Sequence, residues 1–276
     1  MAVVLGLIAA FAYGISDFVG GHTSARFNLW AVVAWGQSLA LVGMVVALPF
    51  LPGQLTAAAG IWGVLAGIGS GVGSIALYRG LAGARMNVVA PLSGVLAAAL
   101  PVLFGLATGE RPHPIALGGV VLALGAIVLV SLTRAEDTPG RSSGVPEGLV
   151  AGLGFAVLFV GLQRPGGKTG AWPLLLAEVA SVTLIFTVAL LRREALRLAR
   201  GALPGTVVSG ALAFAATLLY LLSTRHGLLS IVAVLVSLYP ALTVILAAIV
   251  LHERSTRLQV TGMIGAAVSV ALIAMS

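Results

Sequence analysis

The chain contains no cysteine and only 8 acidic residues among its 276 positions. Without thiols it forms no disulfide and offers neither a thiolate metal site nor a cysteine nucleophile. Charged residues make up 8% of the sequence, whereas soluble domains average about 25%. Hydrophobic residues make up 59%, and a soluble fold of this length cannot bury so much apolar surface. The sequence therefore predicts a protein that is solvated by lipid.

The sequence also lacks the common motifs of enzymes. It has no phosphate-binding loop, no GxSxG motif and no Ser/His/Asp arrangement. No pair of histidines has metal-ligand spacing on one helix, and all four fall at the ends of predicted spans: His22, His113, His226 and His252. We therefore expect no enzymatic activity, no cofactor and no metal site.

Ten apolar stretches approach or exceed the roughly 20 residues that a helix needs to cross a bilayer. They are 2–21, 30–51, 60–82, 87–108, 114–133, 145–164, 171–192, 203–225, 228–251 and 256–274. β-Barrel strands are shorter and alternate in polarity, which these stretches do not. The sequence predicts an all-α polytopic membrane protein, with five spans in residues 1–133, a polar linker at 134–144 and five spans in 145–276.

The second half of the chain repeats the first at an offset of 141 to 143 residues. Repeat mates include Gly6 and Gly148, Tyr78 and Tyr220, and Glu110 and Glu253. A repeat with an odd number of spans enters the membrane in the opposite direction the second time. Inverted repeats are the architecture of secondary transporters, whose substrate site lies between the repeats near the membrane midplane. The pattern therefore predicts two inverted five-helix repeats.

Basic residues predict how the spans are oriented. The net charge of +7 does not indicate nucleic-acid binding, because the bases lie one or two at a time near span ends and form no basic stripe. Loops that follow odd-numbered spans carry 11 of the 15 Lys and Arg residues, and the other loops carry 4. Since Lys and Arg accumulate on the cytoplasmic side, we expect the odd-numbered loops inside and both termini outside.

Small residues in the third span predict close helix packing. Gly63, Gly67 and Gly71 recur every four residues on one face, and Gly69 and Gly73 form a neighbouring ridge. Such faces allow helix backbones to approach closely in lipid.

Polar and aromatic residues inside the spans predict the position of a substrate site. Tyr239 precedes Pro240 in the middle of span nine, and its repeat mate, span four, contains Pro91 and Pro101. We expect both spans to be interrupted, and interrupted spans in corresponding positions indicate a transporter site. Hydroxyls would orient the polar end of a substrate and aromatic faces would cover its apolar part or attract an ammonium group. The predicted substrate-binding residues are Tyr78, Ser93, Tyr220, Ser237, Tyr239, Trp35 and Gln37.

Two acids, Asp17 and Glu178, lie within predicted spans. A carboxylate in the bilayer centre costs at least about 2.5–3.5 kcal/mol on insertion scales, so both should face the bundle interior. Asp17 lies one turn from Tyr13 and has no acidic repeat mate, whereas Glu178 corresponds to the region of Gln37. Burial favours the protonated acid, which makes both residues candidates for proton coupling. The alternative is a facilitator without a coupled ion, in which both acids only bridge helices.

The end of each half carries a recurring motif. A span that contains proline is followed by Gly109-Glu110-Arg111 or His252-Glu253-Arg254, and a glycine lies nine residues after each glutamate. With Pro240, this pattern resembles the repeat signature of the EamA branch of the drug/metabolite transporter superfamily. The first half departs from the signature, with Ala97 where the proline would fall.

The resemblance covers essentially the whole chain in two copies and implies ten helices in two inverted repeats. Family members export amino acids and other small metabolites, and the YddG-type amino-acid exporters are one similar group. Members are often described with both termini in the cytoplasm, which is the reverse of the orientation that the basic residues predict.

We expect a secondary transporter that exports small polar or zwitterionic metabolites, above all amino acids, aromatic ones included, by alternating access. An exporter of cationic drugs or hydrophobic compounds is the alternative within transport, and a non-transporting intramembrane scaffold is the alternative of another class. The expected partners are a small-molecule substrate and the lipid bilayer, without nucleic acid. We expect an integral protein of the bacterial inner membrane, with the monomer as the default and a dimer left open.

Overall fold

The computed structural model describes residues 1–83, 86–131, 144–250 and 257–275. These residues form eleven α-helices: α1 (Ala2–Arg26), α2 (Leu29–Ala47), α3 (Ala57–Gly83), α4 (Met86–Ala107), α5 (Pro114–Ser131), α6 (Val145–Gln163), α7 (Trp172–Leu191), α8 (Leu203–Thr224), α9 (Leu229–Val236), α10 (Tyr239–Val250) and α11 (Arg257–Ala274). Because α9 and α10 share the ninth predicted span, the helices correspond to the ten predicted spans, and the all-helical fold is confirmed. Most of the predicted linker at 134–144, and the motif His252-Glu253-Arg254, lie outside the described residues.

Among the described residues, six helices are long and apolar enough to cross a membrane. They are Ala2–Arg26, Leu29–Phe50, Ala57–Gly83, Val145–Gln163, Trp172–Leu191 and Arg200–Thr224. Four shorter apolar helices of 10–17 residues complete the set. Large apolar side chains such as Phe11, Val121 and Ile264 are more than half exposed on the outside of the bundle. An apolar outer surface of this extent is solvated by acyl chains, and the protein is therefore an integral membrane protein.

Span nine is broken as the sequence predicts. Helix α9 ends at Val236, and α10 begins at Tyr239, directly before Pro240. A proline in the first turn of a helix costs little, because the backbone N–H that it lacks would have no partner there. The two residues between the helices, Ser237 and Leu238, therefore join two short helices within one span.

Span four is not broken, and the expected interruption there is wrong. Helix α4 runs continuously from Met86 to Ala107 and includes both Pro91 and Pro101. A proline inside a helix removes one backbone hydrogen bond, and neighbouring helices can stabilise the rest of the helix in lipid. Packing of α4 against α6, α5 and α9 supplies those neighbours.

The most extensive packing joins the two halves, and it occurs in equivalent pairs. Helix α3 packs on α6 and α7, as its repeat mate α8 packs on α1 and α2. Individual contacts repeat as well: a Cβ added to Gly6 would meet Leu235 Cβ at 3.4 Å, and one added to Gly148 would meet Leu92 Cβ at 3.0 Å. The two halves therefore contact each other through corresponding surfaces, as expected for a repeat.

The two predicted glycine ridges of α3 pack against different helices. Gly63, Gly67 and Gly71 face α7, and Gly69 and Gly73 face α6. A Cβ at Gly69 would stand 2.5 Å from the Gly154 carbonyl oxygen, so the backbones of α3 and α6 touch at this crossing. The predicted close packing is confirmed, and it places α3 between two helices of the second half.

Candidate functional site

A cavity lies between the two halves in the interior of the bundle. Its walls come from α1, α2 and α3 of the first half and from α6, α7, α8 and the start of α10 in the second. Its volume is about 720 Å³ including the solvent at its mouth, which is within the range of small-molecule sites.

Glu178 of α7 faces this cavity and is 4% exposed. Its Oε2 accepts a hydrogen bond of 2.7 Å from Nε2 of Gln37 on α2. The pair joins the polar positions of spans two and seven that correspond in the repeat. The bond fixes the carboxyl of Glu178 at the junction of the two halves.

Asp17 of α1 also faces the cavity and is 7% exposed. Its neighbour Ser16 donates its hydroxyl proton to the Ser209 carbonyl at 2.8 Å and so does not serve the carboxyl of Asp17. Two neighbouring donors on the cavity wall are also bonded elsewhere, since Gln37 donates to Glu178 and the Tyr13 hydroxyl pairs with Thr217. Asp17 is therefore a buried acid whose hydrogen-bonding capacity remains for a ligand.

Three tyrosines surround the same space. The Tyr13 hydroxyl is 2.6 Å from Thr217 Oγ1, and the Tyr13 ring lies 6.2 Å from the ring of Tyr239. The Tyr239 hydroxyl is 2.8 Å from Ser93 Oγ. The third ring, Tyr78, also lines the cavity. The cavity thus combines acidic groups with aromatic faces.

Tyr78 reaches the cavity because α1 has no side chain at the point of contact. A Cβ at Gly20 would overlap the Tyr78 hydroxyl. That hydroxyl lies within hydrogen-bonding reach of the side chains of Ser16 and Ser209. Gly20 therefore positions the ring of Tyr78 between α1 and α8.

The structure brings five of the predicted site residues to the cavity wall and places the others elsewhere. Asp17, Gln37, Tyr78, Glu178 and Tyr239 line the cavity. Ser93 lies behind Tyr239, and its Oγ is 2.8 Å from the Tyr239 hydroxyl. Ser237 is fully buried at the helix break, and its hydroxyl has no hydrogen-bond partner among the described residues.

Tyr220 and Trp35 do not line the cavity. Tyr220 is fully buried, donates its hydroxyl proton to the Phe159 carbonyl at 2.8 Å and stacks on the Phe159 ring at 4.4 Å. It therefore supports the wall from behind Phe159. Trp35 is 47% exposed on the outside, and its Nε1 donates to the Leu196 carbonyl at 2.9 Å.

Sequence reasoning missed several lining residues. Tyr13 was visible only as a neighbour of Asp17 one turn away, and Ser209 and Thr217 carried no signal of their own. Phe155 and Phe159 also line the cavity, although they have the composition of ordinary apolar residues of a span. The sequence pointed to α1, α3 and α8 through Asp17, Tyr78 and Tyr220, the candidates that it offered in these helices.

The end of the bundle that carries the N-terminus is closed by contacts between the halves. Gln54 N donates to the Lys168 carbonyl at 3.0 Å, and Trp172 Nε1 donates to the Gly53 carbonyl at 3.2 Å. These bonds join the loop after α2 to the loop after α6. In contrast, the cavity lining extends to Val32, near the start of α2 at the opposite end.

Glu110 adds a further contact at the closed end. Its carboxylate accepts hydrogen bonds from Leu229 N at 2.8 Å and Ser230 N at 3.0 Å, at the start of α9. A negative charge is favourable at a helix N-terminus, where backbone N–H groups lack partners. The motif at the end of the first half therefore holds the broken span of the second half.

Residues 142–275 match the EamA-like transporter family. Solute carrier family 35 member F5 from Bos taurus is 33% identical over 82 residues, which cover 29% of this chain and only 16% of that protein. A solved crystal structure superposes with a TM-score of 0.76 at 17% identity, over 99% of this chain and 96% of the other, and shares the fold. The family match falls on the half that retains the complete motif.

Proposed function

We propose that this chain, whose residues 142–275 match the EamA-like transporter family, exports a small metabolite carrying an ammonium group, amino acids included, by alternating access. The observation that carries the proposal is the cavity between the halves, into which Asp17 and Glu178 both face. A carboxylate forms strong charge-assisted hydrogen bonds with an ammonium group, and tyrosine faces add cation–π attraction.

Export agrees with the direction in which the cavity extends. The lining reaches towards the end that bears the odd-numbered loops, and the excess of Lys and Arg in those loops predicts that this end faces the cytoplasm. A substrate would enter from the cytoplasm in this conformation. Outward release then requires the closed end to open and the other end to close.

The broken ninth span can provide the motion that this change of conformation requires. Helices α9 and α10 meet at Ser237 and Leu238, so the two short helices can tilt independently. Glu110 holds α9 at the closed end, and α10 contributes Tyr239 to the cavity. Release of the Glu110 bonds would let α9 move away while α10 remains beside the substrate.

Proton exchange at Asp17 would drive export. On the cytoplasmic side the protonated acid releases its proton as the substrate ammonium binds. On the outer side the ammonium leaves and Asp17 takes up a proton, so that one proton enters for each substrate exported. Asp17 suits this role because it is buried and faces the cavity.

The experiment is counterflow in proteoliposomes with a panel of amino acids and amines. We expect at least one ammonium-bearing solute to exchange, and we expect Asp17→Asn combined with Glu178→Gln to abolish the exchange. Glu194→Gln removes an acid outside the cavity and should exchange solute at the native rate. If the folded native protein moves no solute of the panel, the proposal fails and an intramembrane scaffold is favoured.

A further inference from the structure

We infer that the cavity selects a substrate with a net positive charge, an amine without a carboxylate, over a zwitterionic amino acid. The inference rests on the proposed function, because it names the substrate class of the same site. Three features carry it: the sign of the charged groups, the hydrogen-bond donors that are already occupied, and the position of the aromatic rings.

The charged groups that face the cavity are both acidic. Asp17 and Glu178 line it, and none of its described lining residues is Lys, Arg or His. Arg164 lies over the rings of Trp62 and Phe104, and Arg192 lies over the ring of Trp30, all outside the cavity lining. A substrate carboxylate would therefore be buried beside two acids without a counter-charge, which is strongly unfavourable.

Neutral donors do not replace the missing cation. The side-chain protons of Ser16 and Thr217 go to the carbonyl oxygens of Ser209 and Ala213, at 2.8 Å each. Gln37 donates to Glu178, and the Tyr239 hydroxyl pairs with Ser93. Most lining groups that would solvate a substrate carboxylate are thus already bonded within the protein, which leaves the hydroxyls of Ser70, Ser74 and Tyr78 as neutral donors beside the two acids.

The aromatic rings of the cavity also favour a positively charged substrate. Tyr13, Tyr78 and Tyr239 share the cavity with Asp17, and Tyr13 lies between Tyr239 at 6.2 Å and Phe159 at 6.3 Å, measured between ring centroids. Ring faces attract cations and give no favourable interaction to a carboxylate. Apolar walls from Phe155 and Leu158 suit an alkyl or aryl group attached to the amine.

Binding to the full-length protein in nanodiscs, measured by calorimetry, tests the inference without interference from passive permeation of amines. Three probes share one aryl group: phenylalaninol, phenylalanine and 3-phenylpropionate. Phenylalaninol matches phenylalanine in size but replaces the carboxylate with an alcohol. We expect phenylalaninol to bind at least about tenfold more tightly than phenylalanine, and phenylpropionate not to bind.

Two cavity variants and one control variant extend the test beyond the native protein. Glu178→Gln should weaken phenylalaninol binding, whereas Glu194→Gln should leave it unchanged. Gln37→Lys places a cation beside Glu178 and should reduce the preference for phenylalaninol over phenylalanine. The Gln37→Lys variant thus tests the effect of cavity charge even if Glu178→Gln fails to fold.

The outcomes separate the two proposals. If phenylalanine binds as tightly as phenylalaninol or more tightly, the inference is overturned, and export of an ammonium-bearing metabolite still stands. If none of the ammonium probes binds and counterflow also fails, both are overturned.

Discussion

Gln37 and Glu178 lie 141 residues apart at equivalent positions of the two halves and are hydrogen bonded to each other at 2.7 Å. Neighbouring contacts confirm the equivalence: a Cβ at Gly210 would stand 2.6 Å from the Gly36 carbonyl, and Gly67 meets the Ala177 carbonyl in the same way. Equivalent residues that contact each other lie on the axis that relates the two halves. An acid of the candidate site therefore lies where the repeats meet.

The first prediction tests this position on the axis. Gln37→Glu alone and Glu178→Gln alone should each weaken the interhelical hydrogen bond, which in membrane proteins contributes about 0.6 kcal/mol and at most about 1.7 kcal/mol. The double exchange, Gln37→Glu with Glu178→Gln, restores one acid and one amide at the same place. We expect thermal unfolding in detergent to show recovery of stability in the double variant. Additive losses would contradict the pairing.

The second prediction concerns proton coupling. Asp17→Asn preserves the size of the side chain but removes its proton exchange. In liposomes with an imposed pH gradient, the native protein should accumulate substrate against its gradient, whereas Asp17→Asn should only equilibrate it. Glu194→Gln is the matched control and should behave as native. A native protein that only equilibrates substrate under every gradient would show that Asp17 has no coupling role.

The third prediction separates a cavity tyrosine from a supporting one. Because Tyr239 faces the cavity, Tyr239→Ala should reduce transport strongly while lowering the yield of folded protein less than Tyr220→Ala does. Tyr220→Ala leaves a hole behind Phe159, and loss of a buried aromatic ring costs about 3–5 kcal/mol, so the yield of folded protein should fall. Size-exclusion yield and counterflow, measured on both variants, distinguish the roles. Equal loss of yield in both would assign Tyr239 a structural role only.

The fourth prediction concerns the closed end. Glu110→Ala removes the acceptor for the N–H groups of Leu229 and Ser230, so α9 should be held less firmly. Because the chain has no native cysteine, Ala213→Cys in the cavity wall gives a single thiol reporter. If Glu110→Ala removes about 1.4 kcal/mol of stabilisation from the closed conformation of this end, the fraction of molecules in which the end is open rises about tenfold.

The measurement is the rate at which a membrane-impermeant thiol reagent, added on the side of the termini, labels this cysteine. We expect faster labelling with Glu110→Ala and an unchanged rate with Glu194→Ala. Equal rates in all three proteins would mean that Glu110 does not hold the end closed.

The fifth prediction is the orientation in the membrane. The excess of Lys and Arg in the odd-numbered loops predicts that both termini face outside. A reporter that is active only in the cytoplasm should give no signal at either terminus. A strong signal from either one would reverse the orientation and place the open end of the cavity outside.

Features that depend on local chemistry were determined by the sequence. Apolar length predicts each span, because a helix must carry about 20 residues across the hydrocarbon core. The glycine ridges of α3 predict close packing. Proline alone did not decide where a span breaks, because the chain breaks before Pro240 but α4 continues through Pro91 and Pro101. The repeat offset made the region of Gln37 the counterpart of Glu178, and the contact between them was not predicted.

The tertiary structure decided which side chains face the cavity. Tyr220 and Tyr78 are repeat mates, yet one supports the wall and the other lines it. Helices that are apolar on every side have no polar stripe to indicate how they are rotated. The rotation of each helix is set by its packing against other helices. At Gly20, for example, the absence of a side chain leaves room for Tyr78. The local sequence around either residue does not indicate this contact.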